Sequence, residues 1–400
     1  MKKVHHLSFS LSGGAGSVAK RISSFQNQLD GYESQFDSII DKDLKSNPLK
    51  NTKVTLEAAV DQYIIKKNFF LPLFSLLRER SSLVPNSPIF DDNSNLHLHW
   101  TSGMISPNIL AAISRKVPMI IWTMHDFAPL TGGCHFPLEC ENYLRNCSNC
   151  PAVRGIFQNK VEILKAQKNL NLENIQNLKI VFPSKWMQNK FNKMNIKTKL
   201  PTSVIYNPIS DIFYQEGILG WRSKLGIGEN SFVIGFVSSQ IDNPLKRIGE
   251  YMNIIKRVSN QTDRNIVAII VGNGKLKFTD AGTAKVLRVE NIDNEKQMVA
   301  LYNTFDLLLS TSLSETFGLA IAEAIATGTK AIVYQNSTAD ELIDDKNNGY
   351  IVNCSDQAVK VILQEIQFSK SIKRNFIKSS GQFRIETICS KYDKLYINEF

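Results

Sequence analysis

Two carboxylates eight positions apart, Glu315 and Glu323 in the run Ser314-Glu-Thr-Phe-Gly-Leu-Ala-Ile-Ala-Glu-Ala324, have the spacing best suited to chemistry in this chain. The run follows a strand-like apolar stretch and opens a helix, so free backbone N–H groups and a positive dipole end are available there to hold a phosphate. One carboxylate then lies before the helix and the other inside it. Both reach hydroxyls of a ligand whose phosphates rest on the amides of Gly318 and Leu319, which is the geometry a nucleotide sugar needs. The spacing alone is a weak signal, and other residues must be weighed with it.

Three further stretches place reactive groups just after apolar runs. Leu11-Ser-Gly-Gly-Ala-Gly-Ser-Val18 follows the first such run. Gly13, Gly14 and Gly16 let backbone approach a ligand closely, and Ser17 is positioned to cap a helix. The spacing differs from the Gly-x-Gly-x-x-Gly dinucleotide fingerprint, and a plain turn explains the loop as well. Trp122-Thr-Met-His-Asp-Phe127 sets His125 beside Asp126 at the end of another run, with His99 of His97-Leu-His-Trp100 ending the run before it. A histidine there serves as donor or acceptor near neutral pH. Ser239-Gln240 and Lys246-Arg247 follow the first run of the second half, where the cations would neutralise a diphosphate or lie on a solvated surface.

Cys134, Cys140, Cys147 and Cys150 form a Cys-x5-Cys-x6-Cys-x2-Cys array in a chain with six cysteines. Four thiols so close suit a structural, tetrahedral zinc, closed to substrate, while free or disulfide-paired thiols stay open as readings.

These groups need rigid elements to hold them. At 400 residues, 43% hydrophobic and 21% charged, the chain is long enough for two domains, each with its own core. Apolar runs at Val4–Phe9, Leu96–Trp100, Pro118–Thr123, Lys179–Phe182, Ser203–Tyr206, Phe232–Val237, Asn265–Val271, Asp306–Ser310 and Lys330–Tyr334 alternate with helical patterns. That alternation predicts an α/β fold of two doubly wound parallel sheets, with ligands beyond the carboxyl ends of the strands. The expected division is 1–206, 207–368, and a terminal helical segment 369–400, with the break at Asn207-Pro208.

The formal net charge is +10, and residues 1–200 hold 25 Lys and Arg against 15 Asp and Glu. The basic half suits phosphorylated substrates or anionic lipid headgroups. Nucleic acid is not expected as a partner, because its binding motifs are absent. Phe69-Phe-Leu-Pro-Leu-Phe-Ser-Leu-Leu77, flanked by Lys66-Lys67 and Arg78, is too short to span a bilayer; it reads as a lipid-interface segment or as a buried helix. The amino terminus lacks a signal-peptide core, so the expected location is cytoplasmic, peripheral to the inner face of the membrane.

Together these motifs resemble the retaining GT-B glycosyltransferases of glycosyltransferase family 4. The amino half is similar to the bacterial surface-polysaccharide branch, through Ser-Gly-Gly-Ala-Gly at 12–16, His-Leu-His-Trp at 97–100, Trp-Thr-Met-His-Asp at 122–126, Thr-Gly-Gly-Cys at 131–134, Cys-x2-Cys-Pro ending at Pro151 and Pro-Ser-Lys-Trp-Met at 183–187. The carboxyl half supplies Tyr302-x3-Asp306 and Ser-Glu-Thr-Phe-Gly-Leu-x3-Glu-Ala at 314–324.

The resemblance implies a GT-B architecture whose two Rossmann-like domains face an interdomain cleft, with the terminal helix crossing back to the first. It implies a nucleotide-sugar donor, UDP-, GDP- or dTDP-linked, a saccharide or lipid-linked acceptor, and no catalytic cofactor. Glu323 would bind the ribose and Glu315 the transferred sugar. Thr316, Phe317, Gly318 and Leu319 would line the sugar and diphosphate, with Lys246 and Arg247 as phosphate cations. His125, with Asp126, would lie near the anomeric centre, and Gly13 and Gly14 would face the diphosphate and acceptor. Gln240 stands where the family usually has an arginine, and Arg247 where it has a glycine. A catalytically silent GT-B scaffold and a nucleotide-sugar epimerase are the rival readings.

Overall fold

The computed structural model describes residues 1–11, 13–38, 48–66, 74–77, 93–196, 200–277, 280–335, 338–344, 347–368 and 378–397. The chain divides into two compact units, Met1–Pro208 with Ile385–Phe400, and Ile209–Arg384.

The first unit alternates β1 (Lys2–Ser8), α1 (Gly14–Gln26), β2 (Tyr32–Ser38), α2 (Pro48–Ile64), β3 (Asn95–Leu98), α3 (Pro107–Ile113), β4 (Ile120–Thr123), α4 (Gln158–Asn174), β5 (Leu178–Phe182), α5 (Lys185–Asn192) and β6 (Thr202–Val204). Its sheet is parallel throughout, in the order β2-β1-β3-β4-β5-β6. The second unit holds β7 (Phe232–Gln240), α6 (Ile248–Ser259), β8 (Ile266–Asn273), β9 (Lys285–Val289), α7 (Glu295–Tyr302), β10 (Leu307–Ser310), α8 (Leu319–Ala326), β11 (Lys330–Tyr334), α9 (Ala339–Leu342), β12 (Gly349–Val352) and α10 (Ser355–Phe368). Its parallel sheet runs β12-β11-β10-β7-β8-β9. Helix α11 (Ile385–Tyr396) returns to the first unit. The α/β fold class expected from the sequence, with two doubly wound sheets, is the one present.

Three strands have no counterpart among the predicted runs: β2, β9 and β12. All three are sheet edges. An edge strand covers less of the core, so its sequence carries fewer apolar residues; β9 has no buried residue, and β2 reads Tyr-Glu-Ser-Gln-Phe-Asp-Ser. The interior strands β4 and β5 are buried at every position, which is why they read as continuous apolar runs.

Period-two alternation sorts the two faces of the first sheet. Leu7, Leu96, Leu98, Ile120, Trp122, Ile180 and Phe182 share one apolar core. The alternate positions carry His6, His97 and Thr123, with His6 aligned to His97 across the β1–β3 ladder. Helix α11 is tied to this unit by Asp393, 2.5 Å from Lys2 Nζ and also bonded to the Tyr32 hydroxyl, and by Lys179 Nζ donating to the Leu395 carbonyl at 2.8 Å.

Of the stretch read as a lipid-interface segment, Lys67, Phe69 to Leu73 and Arg78 lie outside the described residues, as do Ser12 and the predicted start of the terminal helix at Ser369. Phe74, Ser75 and Leu76 are buried. Ser75 N donates to Gly133 O at 2.8 Å, and the amides of Leu76 and Leu77 donate to Asp61 Oδ1 at 2.9 and 2.8 Å. The described end of that stretch is therefore core, because buried carboxylate and carbonyl acceptors take up its amides.

Candidate active site

In the second unit the strand order reverses at β7 and β10: β8 and β9 lie on one side, β11 and β12 on the other. Loops leaving the carboxyl ends of two such strands diverge and open a crevice for ligand. After β7 the chain makes a 3-10 turn over Pro244–Lys246, capped by the Asn243 side chain accepting from Leu245 N at 3.0 Å. The loop after β10 is bonded to it. Leu313 N donates to Leu245 O at 2.8 Å, Thr311 Oγ1 to Lys246 O at 2.7 Å, and Arg247 Nε to Thr311 O at 2.7 Å. Those bonds bring the Lys246 ammonium to 2.5 Å from Glu315 Oε1.

Gly318 precedes α8 in the left-handed conformation, φ 89°, which glycine adopts without steric cost. It turns the backbone from the β10 loop into the helix, whose first amides have no partner within the helix. Phe317 is buried edge-on against Phe383, centroids 5.5 Å apart, so its side chain anchors the loop. Thr316 and Leu319 are half-buried beside it. Glu323 lies one turn into α8, 7% exposed, and accepts a hydrogen bond from the Tyr302 hydroxyl at 3.1 Å. Glu315, Lys246, Gly318 and Glu323 are thus placed on the loops and helix that leave one switch point.

Two neighbours sit differently. Arg247 adopts φ 49° and gives its Nε to Thr311, while its guanidinium lies 4.4 Å over the Tyr334 ring. The side chain thus holds the turn together, and the left-handed backbone explains why a glycine is usual here in the family it resembles. Gln240 ends β7 with an exposed side chain, and its carbonyl accepts from Ser238 Oγ at 2.8 Å.

In the first unit the corresponding switch point lies between β1 and β3. Gly13, φ 86°, is the N-cap of α1, and no side chain caps the helix, so Ser17 lies within the first turn instead of before it. Gly13 and Gly14 are exposed and open, whereas a Cβ on Gly16 would come within 2.2 Å of the Ser10 carbonyl. His125 follows β4, with its Nε2 3.0 Å from His99 Nδ1. Burial pushes the His125 pKa down to about 4 against the opposing charge of Asp126.

Asp126 is turned to other partners. Its Oδ2 lies 2.7 Å from His135 Nδ1, its Oδ1 accepts from Ala128 N at 2.9 Å, and His135 Nε2 meets Ser75 Oγ at 2.8 Å. Burial works to raise its pKa, but His135 and the Ala128 amide outweigh it and hold the carboxyl below its ordinary value. Asp126 therefore anchors the loop that carries His125.

The four cysteines share the loop after β4, and their mutual charges, after burial, push the Cys134 thiol well above its ordinary pKa. Cys147 rises to about 11, and its Sγ accepts from Gly132 N at 3.3 Å. Among the described residues the one group with three ligating atoms within 4.8 Å of one another is His6, His97 and His99, and the cysteines do not form such a group. Cys147 and Cys150 are drawn into the apolar core while Cys134 and Cys140 stay half-exposed.

Sequence reasoning missed Tyr302 as the partner of Glu323, and His135 and Ser75 as supports of Asp126. It also missed His6, Gln26, Tyr392 and Tyr396, which surround His97 and His99. The available signal was the alternation His97-x-His99 beside His6, three histidines at facing positions of buried strands.

Over 212 residues the chain is 23% identical to N-acetyl-alpha-D-glucosaminyl L-malate synthase of Bacillus anthracis, 50% of this chain and 55% of that protein. It is 23% identical over 211 residues to alpha-monoglucosyldiacylglycerol synthase of Acholeplasma laidlawii, 50% of this chain and 52% of that protein. The chain thus spans about half the length of these curated relatives. The solved structure of Anabaena Alr3699/HepE in complex with UDP-glucose superposes with a TM-score of 0.62 at 18% identity, covering 99% of both chains, which shows a shared fold. Residues 218–378, the span that holds Lys246, Glu315, Gly318 and Glu323, match the family described as Glycosyl transferases group 1.

Proposed function

We propose that the protein is a retaining glycosyltransferase that moves a sugar from a nucleotide-sugar donor to a saccharide or lipid-linked acceptor in surface-polysaccharide synthesis. The observation that carries this reading is the Lys246–Glu315 pair at the β7–β10 switch point, beside the amide end of α8. A donor diphosphate takes the Lys246 ammonium and the amides of Gly318 and Leu319. Glu315, released from the ion pair, then accepts sugar hydroxyls, and Glu323, held by Tyr302, accepts the ribose hydroxyls. The UDP-glucose bound by a structure of the same fold supports this donor class.

Retention follows from front-face attack, in which the leaving diphosphate oxygen takes the acceptor proton and the C–O bond to the acceptor forms as that to the diphosphate breaks. Catalysis then rests on holding the partners together and stabilising the leaving group. A lipid-linked acceptor at the inner face of the membrane is supported by the excess of Lys and Arg in residues 1–200 and by the relative named for a diacylglycerol glucoside.

The test incubates the protein with UDP-, GDP- and dTDP-sugars, with and without a saccharide or lipid-linked acceptor, and follows nucleotide release and the anomeric configuration of the product. Acceptor-dependent release with retained configuration is expected. An inverted product, or a glycosyl adduct trapped on a carboxylate, would contradict the mechanism.

A further inference from the structure

Helix α4 is inverted relative to an ordinary surface helix. It buries Lys165 and Lys168, whose ammonium groups donate to the Leu130 carbonyl at 2.9 Å and the Ala128 carbonyl at 2.6 Å, while Ile163 and Leu170 face solvent. The two aliphatics are seven residues apart, nearly two turns, so they stand on one line of the helix. Ile156, in the 3-10 turn Gly155–Phe157 that leads into α4, is exposed as well, and Leu56 and Tyr63 repeat the seven-residue spacing on α2. All five are between 49% and 79% exposed. The end of α2 is joined to the start of α4: Lys66 N donates to Ala152 O at 2.8 Å, Arg154 N to Ile64 O at 3.1 Å, and the Arg154 guanidinium lies 4.1 Å over the Tyr63 ring. Single exposed aliphatics are ordinary, but five on two joined helices mark a partner surface.

The exposed charges beside them have one sign. Lys53, Lys66 and Lys160 are exposed. Among the described residues of the two helices, the acids are withdrawn: Asp61 is buried, and Glu57, Glu162 and Glu173 are half-buried. Glu57 lies 3.8 Å from Lys53, and Glu162 accepts from Asn146 Nδ2 at 2.6 Å. A second copy of the chain would set this face against itself in a two-fold contact and bring lysine to lysine. An anionic lipid surface matches both halves of the pattern, because apolar side chains enter the headgroup boundary while ammonium groups take the phosphates.

We propose that the outer face of α2 and α4 docks the first unit on an anionic lipid surface, with Leu56, Tyr63, Ile156, Ile163 and Leu170 entering the headgroup boundary and Lys53, Lys66 and Lys160 meeting lipid phosphates. The docking surface rests on exposure and charge. Only its use in reaching a lipid-linked acceptor rests on the transferase reading.

The experiment is sedimentation of the full chain with vesicles of phosphatidylcholine alone and of phosphatidylcholine mixed with phosphatidylglycerol. The proteins are wild type, Ile163→Ser with Leu170→Ser, Lys66→Gln with Lys160→Gln, and Leu219→Ser, which alters an 85% exposed leucine of the second unit as a control. Wild type and Leu219→Ser should bind the mixed vesicles alike and the neutral ones at least ten-fold more weakly. Each double variant should lose roughly ten-fold in binding to the mixed vesicles. Both should keep the wild-type Tm and transfer to a soluble saccharide acceptor, since the replaced side chains are exposed and lie outside the donor site. Wild type that binds neither vesicle, or binds both equally, would overturn the proposal. So would double variants that bind like wild type, or a wild-type dimer in light scattering that Ile163→Ser with Leu170→Ser dissociates. A wild type that binds the anionic vesicles but transfers no sugar would remove the transferase reading and leave the docking surface standing.

Discussion

The Lys246 ammonium lies 2.5 Å from Glu315 Oε1 across 69 residues of sequence, held there by backbone bonds between the loops after β7 and β10. With side chains 25% and 16% exposed, the pair adds little to stability, on the order of 1 kcal/mol or less. On the proposed function its consequence is chemical: an arriving diphosphate takes the place of Glu315 as the anionic partner of Lys246. Lys246→Ala should therefore cut kcat/KM for sugar transfer by roughly 100-fold or more while moving Tm by only a few degrees. Steady-state kinetics beside thermal unfolding decide it, and a large loss of stability with modest loss of rate would contradict this role.

Arg247 combines a left-handed backbone with a side chain that binds Thr311 O and covers Tyr334. Arg247→Ala loses the side-chain contacts and keeps the strained φ, whereas Arg247→Gly loses the contacts and relieves the strain. The alanine variant should be less stable than the glycine variant by about 1 kcal/mol. Urea unfolding of the two proteins measures the difference, and equal midpoints would argue against strain at this turn.

The buried histidines give the first unit an acid sensitivity of known sign. The pKa of His6 and of His125 is lowered from 6.5 to about 4 by burial. Above pH 6.5 both folded and unfolded forms are neutral and the stability is fully present. As pH falls below 6.5 the unfolded imidazoles take protons that the folded ones refuse, so stability drops until about pH 4. The two groups together set a slope of at most about 2.7 kcal/mol per pH unit. Urea titrations between pH 7 and 4.5 should show this fall, and His125→Asn should reduce the slope.

The four cysteines of the loop after β4 form no disulfide, and the proposed transfer needs no metal, so EDTA should leave sugar transfer unchanged. Metal analysis of the purified protein separates free thiols, with well below one zinc per chain, from a structural site. One tightly held zinc, with a fall in Tm on its removal, would show that the loop closes around a metal.

Much of this arrangement is legible in the sequence, where the chemistry is local. The interior strands declare themselves as apolar runs because both of their faces are covered. Glu315, Gly318 and Glu323 are placed relative to one another by a single turn into a single helix, so their spacing alone describes their geometry. Ser184 in Pro183-Ser-Lys-Trp-Met likewise caps α5, accepting from Met187 N at 3.2 Å within three residues.

The tertiary structure decided what depends on strand order. Edge strands β2, β9 and β12 were hidden because a half-covered strand needs no continuous apolar run. Lys246 meets Glu315, Tyr302 meets Glu323, and His6 meets His99 only because particular strands are neighbours in a sheet. Tyr396 reaches His97 across 299 residues because α11 returns to the first unit. Hydrophobic periodicity tells which face of each element is buried. Which buried side chains then meet is set by the crossover connections and the packing between elements, and these bring together residues that share no pattern along the chain.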